Sequence, residues 1–161
     1  MSAVVSDTSP IRALDHLRLL SLLTELYGEI LIPPGVASEL RNPESALPPL
    51  EWTSIPGVRL QAPSDAARVT ALRAELDLGE SEAIALALEV HASALLVDER
   101  AARSIAASLG LKSVGVLAML VEAKHRGLAA SVGPLMAQLQ TGIGFHISPA
   151  LYSEVLRLAG E

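Results

Sequence analysis

Short apolar runs alternate with longer stretches of helical periodicity along this chain, and Gly, Pro, Asp and Ser mark the joins. Ala3-Val4-Val5-Ser6 is β-compatible and stops at Asp7-Thr8-Ser9-Pro10, where a strand ends and a turn or helix begins. Leu14, Leu17, Leu20, Leu23 and Leu26 recur every third residue, which predicts one helix over 14–26 with Gly28 as its stop. Glu29-Ile30-Leu31-Ile32 reads as a second strand, closed by Pro33-Pro34-Gly35, with Pro34 placed to open a helix over 36–41 that carries Glu39. Residues 42–63 hold five of the ten prolines and read as an irregular excursion with a brief strand over 58–60.

Ser64-Asp65 can cap a helix running to about Leu76, and Leu78-Gly79-Glu80-Ser81-Glu82 restarts one through Leu88. Ala94-Leu95-Leu96-Val97 is a continuous apolar run of strand length, followed by Asp98-Glu99-Arg100 and a helix over 101–109 that stops at Gly110. A short strand over 112–114 and helices over 116–124, near 132–139 and over 149–158 complete the reading. Strands alternating with helices predict a three-layer α/β/α, Rossmann-like domain with a central, mainly parallel sheet, and 161 residues suit a single domain over 1–161.

Composition narrows the function. Half the residues are hydrophobic, so the chain has material for a packed core. The absence of cysteine removes disulfides, thiolate metal sites and a cysteine nucleophile, and makes a cytoplasmic location the expectation. The N-terminus lacks a secretory pattern, and no apolar stretch is long and uninterrupted enough to span a bilayer, so no membrane is expected. Only four aromatic side chains occur, Tyr27, Trp52, Phe145 and Tyr152, too few for base stacking to dominate binding. A net charge of −6 argues against a broadly basic surface, although acids gathered in one site would inflate that figure.

The common nucleotide, hydrolase and zincin signatures are absent, and the four histidines, His16, His91, His125 and His146, lack ligand spacing and read as surface or loop residues. What remains is a set of carboxylates. Asp7 and Asp98 each follow an apolar strand, the place where open parallel sheets build their sites. Each also admits a plainer role as a helix N-cap, Glu39 as a solvent-facing helix residue, and Glu80 and Glu82 as first-turn acids favoured by the helix dipole. If the first strand and the Ala94 strand are neighbours, Asp7 and Asp98 converge, with Glu39 and Glu82 delivered from helices. Clustered carboxylates repel, and Mg²⁺ or Mn²⁺ relieves that cost, polarises phosphate and activates water.

At these residues the sequence resembles the PIN-domain family, and within it compact prokaryotic PIN-like proteins similar to VapC-type toxin ribonucleases. The resemblance rests on residues 4–10, Ile32-Pro33 through Glu39-Leu40, residues 78–87, residues 95–100 and the tail from Leu128 to Gly160. It implies that Asp7, Glu39, Glu82 and Asp98 coordinate divalent metal, and that the Ser9 hydroxyl helps hold Asp7. Glu99 beside Asp98 and Glu80 beside Glu82 are the alternatives one step away. The later strand end, where relatives carry another acid or a hydroxyl, offers only Ser113 here, one ligand fewer for a second ion. Arg100, Arg103 and Lys112 are candidates for RNA phosphates, or else solvated helix-face residues. The resemblance implies an endoribonuclease acting on single-stranded RNA, the toxin of a toxin-antitoxin pair, with an antitoxin protein as partner. The apolar helices also lead to the expectation of a homodimer. Two other classes stay open: an inactive PIN-fold module that binds nucleic acid or protein, and another metal hydrolase such as a phosphatase.

Overall fold

Among the described residues, five strands too short to stand alone are stabilised by pairing and by helices on both faces. The computed structural model describes residues 3–42 and 47–161, so part of the proline-rich 42–63 excursion lies outside the described residues. The strands are β1 (Val4–Ser6), β2 (Ile30–Ile32), β3 (Val58–Leu60), β4 (Ala94–Leu96) and β5 (Ser113–Val114). They form one all-parallel sheet in the order β3-β2-β1-β4-β5. From β1 the chain builds outward to β2 and β3, then crosses back to place β4 on the other side of β1. That reversal is the switch point at which such sheets open a crevice beyond their carboxyl ends.

Among the described residues the helices are α1 (Thr8–His16), α2 (Ser21–Tyr27), α3 (Pro34–Arg41), α4 (Ala66–Leu72), α5 (Leu78–Glu89), α6 (Arg100–Ser108), α7 (Val116–His125), α8 (Gly133–Gly142) and α9 (Pro149–Leu158). Alternate strand residues feed two cores. Val4, Ile30, Ile32 and Leu96 pack with α1, α2, α3, α7, α8 and α9, while Val5, Leu31, Leu95 and Val97 pack with α5 and α6. The three-layer α/β/α arrangement is the one expected from the sequence.

One element differs. The leucine repeat over 14–26 is two helices, not one. Arg18 takes φ 59, Leu19 N–H donates to Leu14 O at 2.8 Å and Arg18 N–H to Asp15 O at 3.0 Å, a Schellman ending that glycine usually marks and here does not. The leucines remain on the buried side across the break, so their spacing alone gave no sign of it. Farther along, the loop between α8 and α9 is pinned: Phe145 N–H donates to Leu139 O, Gln140 Nε2 to Ile147 O and the Tyr152 hydroxyl to Gly133 O.

Candidate active site

Beyond the carboxyl ends of β1 and β4 lies a cleft of about 640 Å³. Asp7, Thr8 and Ser9 enter it from the end of β1, Glu39 from α3, Asp77 and Glu80 from the start of α5, and Asp98, Glu99 and Arg100 from the end of β4. Arg12 lines it from α1, and Ile143, Gly144, Phe145 and His146 form the facing wall from the α8–α9 loop. Among the described residues, six carboxylates therefore face two guanidinium groups, an imbalance that favours cations.

Asp7 is the centre of it. Ser6 pairs with Leu96, and Asp7 N–H donates to Leu96 O at 2.8 Å, so the ladder itself fixes where its side chain begins. The side chain is buried, Oδ1 has no hydrogen-bond partner, and the carboxylate makes no bond to the second or third N–H of α1. A helix cap is thus not its role. Burial pushes its pKa up to about 8; the Thr8 N–H pulls the other way, and Glu39, Glu80 and Asp77 add repulsion.

Asp98 follows the same logic one strand over. Its Oδ1 accepts from Val116 N–H at 2.9 Å, capping α7 and not the helix after it, while Oδ2 is buried without a partner. Burial raises its pKa against the pull of the Val116 N–H and of Arg103. Glu39 accepts from the Thr8 hydroxyl at 2.5 Å, and burial raises its pKa while the Thr8 and Gly79 hydrogen bonds lower it. Glu80 forms a capping box with Asp77, is buried, and also has a raised pKa, first through that burial and then through Asp77, Glu99 and Glu39.

The remaining sequence candidates divide. Glu82 does not line the cleft: its Oε1 accepts from Gly35 N–H at 2.6 Å, on the side of α5 that meets α3. Glu80 and Glu82 lie about 200° apart around one helix, so only one of them can face the strand ends. Ser9 does line the cleft, yet its buried hydroxyl bonds to nothing, and the hydroxyl that secures an acid is Thr8, acting on Glu39. Arg103 stands behind Asp98, donating to Val97 O at 3.2 Å, and a Cβ at Gly115 would lie 2.9 Å from both its Nη1 and Asp98 Oδ1. At the end of β5 a guanidinium thus packs against Asp98. Lys112 precedes β5, level with Ala94, at the end of the sheet away from the cleft. The arginines and Lys112 are not one cluster.

Sequence reasoning missed Thr8, Arg12, Asp77, Phe145 and His146. Arg12 is buried and donates to Glu39 O, Leu40 O and Pro48 O, tying the end of α3 and the following segment to α1, and burial lowers its pKa. An Arg flanked by Ile11 and Ala13 on a buried helix face was the available signal.

The two orphaned oxygens, Asp7 Oδ1 and Asp98 Oδ2, together with the oxygen-rich wall, fit a hard divalent ion in donor chemistry. Among the described residues, no three His, Cys, Asp or Glu stand close enough together to form a closed metal cage. No helix among them is long and apolar enough to cross a membrane. No curated protein matches the sequence significantly. A family model described as DUF3368, PIN domain, matches residues 3–161, nearly the whole chain and every strand that builds the cleft. The chain belongs to the PIN-domain family, a family of nuclease fold.

Proposed function

We propose that this chain is a divalent-metal-dependent endoribonuclease that hydrolyses phosphodiester bonds in single-stranded RNA, acting in the cytoplasm as the toxin of a toxin-antitoxin pair. The observation that carries the reading is the pair of buried, unpartnered carboxylate oxygens, Asp7 Oδ1 and Asp98 Oδ2, on neighbouring strands at the switch point of the sheet. Buried acids without partners are costly, and function is the usual reason a fold retains them.

Asp7, Glu39, Glu80 and Asp98 would hold Mg²⁺ or Mn²⁺, with Glu99 at the rim. Such an ion, when bound, polarises a phosphodiester and acidifies water. The chain's own residues do the rest. Thr8 orients Glu39, the Val116 N–H orients Asp98, and Arg103 offsets the charge of Asp98 from behind. Arg100, in the first turn of α6, meets a phosphate, and Phe145 offers an apolar face to a base on the opposite wall. The toxin role, an antitoxin partner and a homodimer rest on the family resemblance; a short regulator-like neighbouring reading frame and sedimentation of the purified chain are the observations that bear on them. The direct test is cleavage of single-stranded RNA in Mn²⁺: wild type cuts and Asp7→Asn does not, and equal activity in both refutes the mechanism.

One observation favours a second reading, a PIN-fold module that binds nucleic acid or protein without cutting: the absence of a closed three-donor cage among the described residues. A Mn²⁺ titration separates the two. Saturable binding below millimolar concentration supports the nuclease; none at millimolar supports the module.

A further inference from the structure

Helix α3 opens on Pro33 and Pro34, which supply neither a side-chain cap nor an N–H at the first helical position. Its first free donor is Gly35 N–H, and Glu82 of α5 receives it at 2.6 Å. The exchange is mutual. Gly79 occupies the same second position in α5, and its backbone lies against the carboxylate of Glu39 of α3, where it lowers that acid's pKa. Each helix therefore sets a carboxylate against the other's first turn, Glu82 by a hydrogen bond and Glu39 by close approach.

Two glycines make this possible through space, not through unusual backbone angles. A Cβ at Gly35 would lie 3.3 Å from Gly79 Cα and N and 2.5 Å from Glu82 Oε1; a Cβ at Gly79 would lie 2.5 Å from Glu39 Oε1. The two first turns consequently pack backbone against backbone, with no side chain between them.

We propose that Glu82 is a positioning residue: the exchange between Glu39–Gly79 and Glu82–Gly35 locks α3 to α5 and so sets Glu39 in the cleft, making the cleft's cation affinity depend on a carboxylate outside it. This rests on the reading of the cleft as a divalent-cation site. Only Glu39 of the pair faces the cleft, while Glu82 is spent on α3. A carboxamide at position 82 keeps an oxygen acceptor for Gly35 N–H, whereas it is a poor ligand for a hard cation. Position 82 thus separates support from ligation.

The experiment measures Mn²⁺ affinity by calorimetry and the thermal midpoint in chelator for the full chain, with wild type, Glu82→Ala, Glu82→Gln and Gly35→Ala. Loss of an orienting partner weakens metal binding about tenfold or more. Glu82→Ala and Gly35→Ala are expected to show that loss together with a lowered midpoint, and Glu82→Gln to restore both toward wild type. Glu82→Gln as damaging to Mn²⁺ affinity as Glu82→Ala, with its midpoint preserved, would mean direct ligation and overturns the proposal. Unchanged affinity in a folded Glu82→Ala or Gly35→Ala also overturns it while leaving the cation site standing. Absence of saturable Mn²⁺ binding in wild type overturns the cation reading itself, and the dependence with it. Should Glu82→Ala not fold, Gly35→Ala and Glu82→Gln still decide between the outcomes.

Discussion

Asp7→Asn is expected to make the metal-free protein more stable at neutral pH, although it removes the central acid of the cleft. Asp7 is 4% exposed, and its pKa rises from 3.8 to about 8 on folding, burial being the main cause. Between those two pH values the unfolded chain has released a proton that the folded chain keeps. Stability therefore falls as pH rises, by about 1.4 kcal/mol per pH unit, and levels off above about pH 8. At pH 7, about three units above the lower value, this penalty reaches at most about 4 kcal/mol. Asparagine is nearly isosteric with the protonated acid and carries no titrating proton. A buried amide left unpaired costs about 1–3 kcal/mol, but that cost does not vary with pH. The diagnostic is therefore the slope: the unfolding free energy of the variant minus that of wild type should climb steadily from pH 4 to pH 8. Urea denaturation followed by circular dichroism, in chelator and at each pH, measures it. A difference that stays constant across that range, or falls, would refute the argument that Asp7 sits in the fold as an uncompensated buried acid. With Mn²⁺ at a hundred times the dissociation constant, wild type should gain about 2.7 kcal/mol relative to the variant at pH 7, enough to close most or all of the gap of about 1–3 kcal/mol.

Three further outcomes follow from the same geometry. Arg100→Ala should weaken RNA binding and lower the salt dependence by about one phosphate contact, whereas Lys112→Ala should change neither, as filter binding at several salt concentrations would show; an equal effect of both returns Lys112 to the interface. Arg12→Ala should lower stability by about 1–3 kcal/mol in urea denaturation, because it removes the donor to Pro48 O and one of the two donors to each of Glu39 O and Leu40 O. Phe145→Ala should raise KM for single-stranded RNA with kcat little changed, and an unchanged KM removes that wall from the substrate path.

Local chemistry in the sequence was sufficient for much of the fold. Apolar runs bounded by Asp, Pro and Gly marked β1, β2 and β4, brief β-compatible stretches marked β3 and β5, and Asp7 and Asp98 stood out because each follows one of the apolar runs. Backbone preferences and side-chain period act over a few residues, and so they are legible without any partner. The alternation of strand and helix then left a parallel three-layer sheet as the consistent arrangement.

What tertiary structure alone decided were matters of facing and contact. Helix α5 buries Ala83, Ile84, Ala85, Leu86 and Ala87, nearly its whole circumference, so no polar stripe in the sequence indicates whether Glu80 or Glu82 turns toward the strand ends. The close approach of Gly35 to Gly79 settles that rotation, and those residues are far apart in the chain. In the same way Thr8, not Ser9, reaches Glu39, and Arg103 turns behind Asp98 while Lys112 falls at the opposite end of the sheet. Sequence fixes which groups exist and which local shapes they favour; the direction in which a side chain points is set by elements that meet only after the chain has folded.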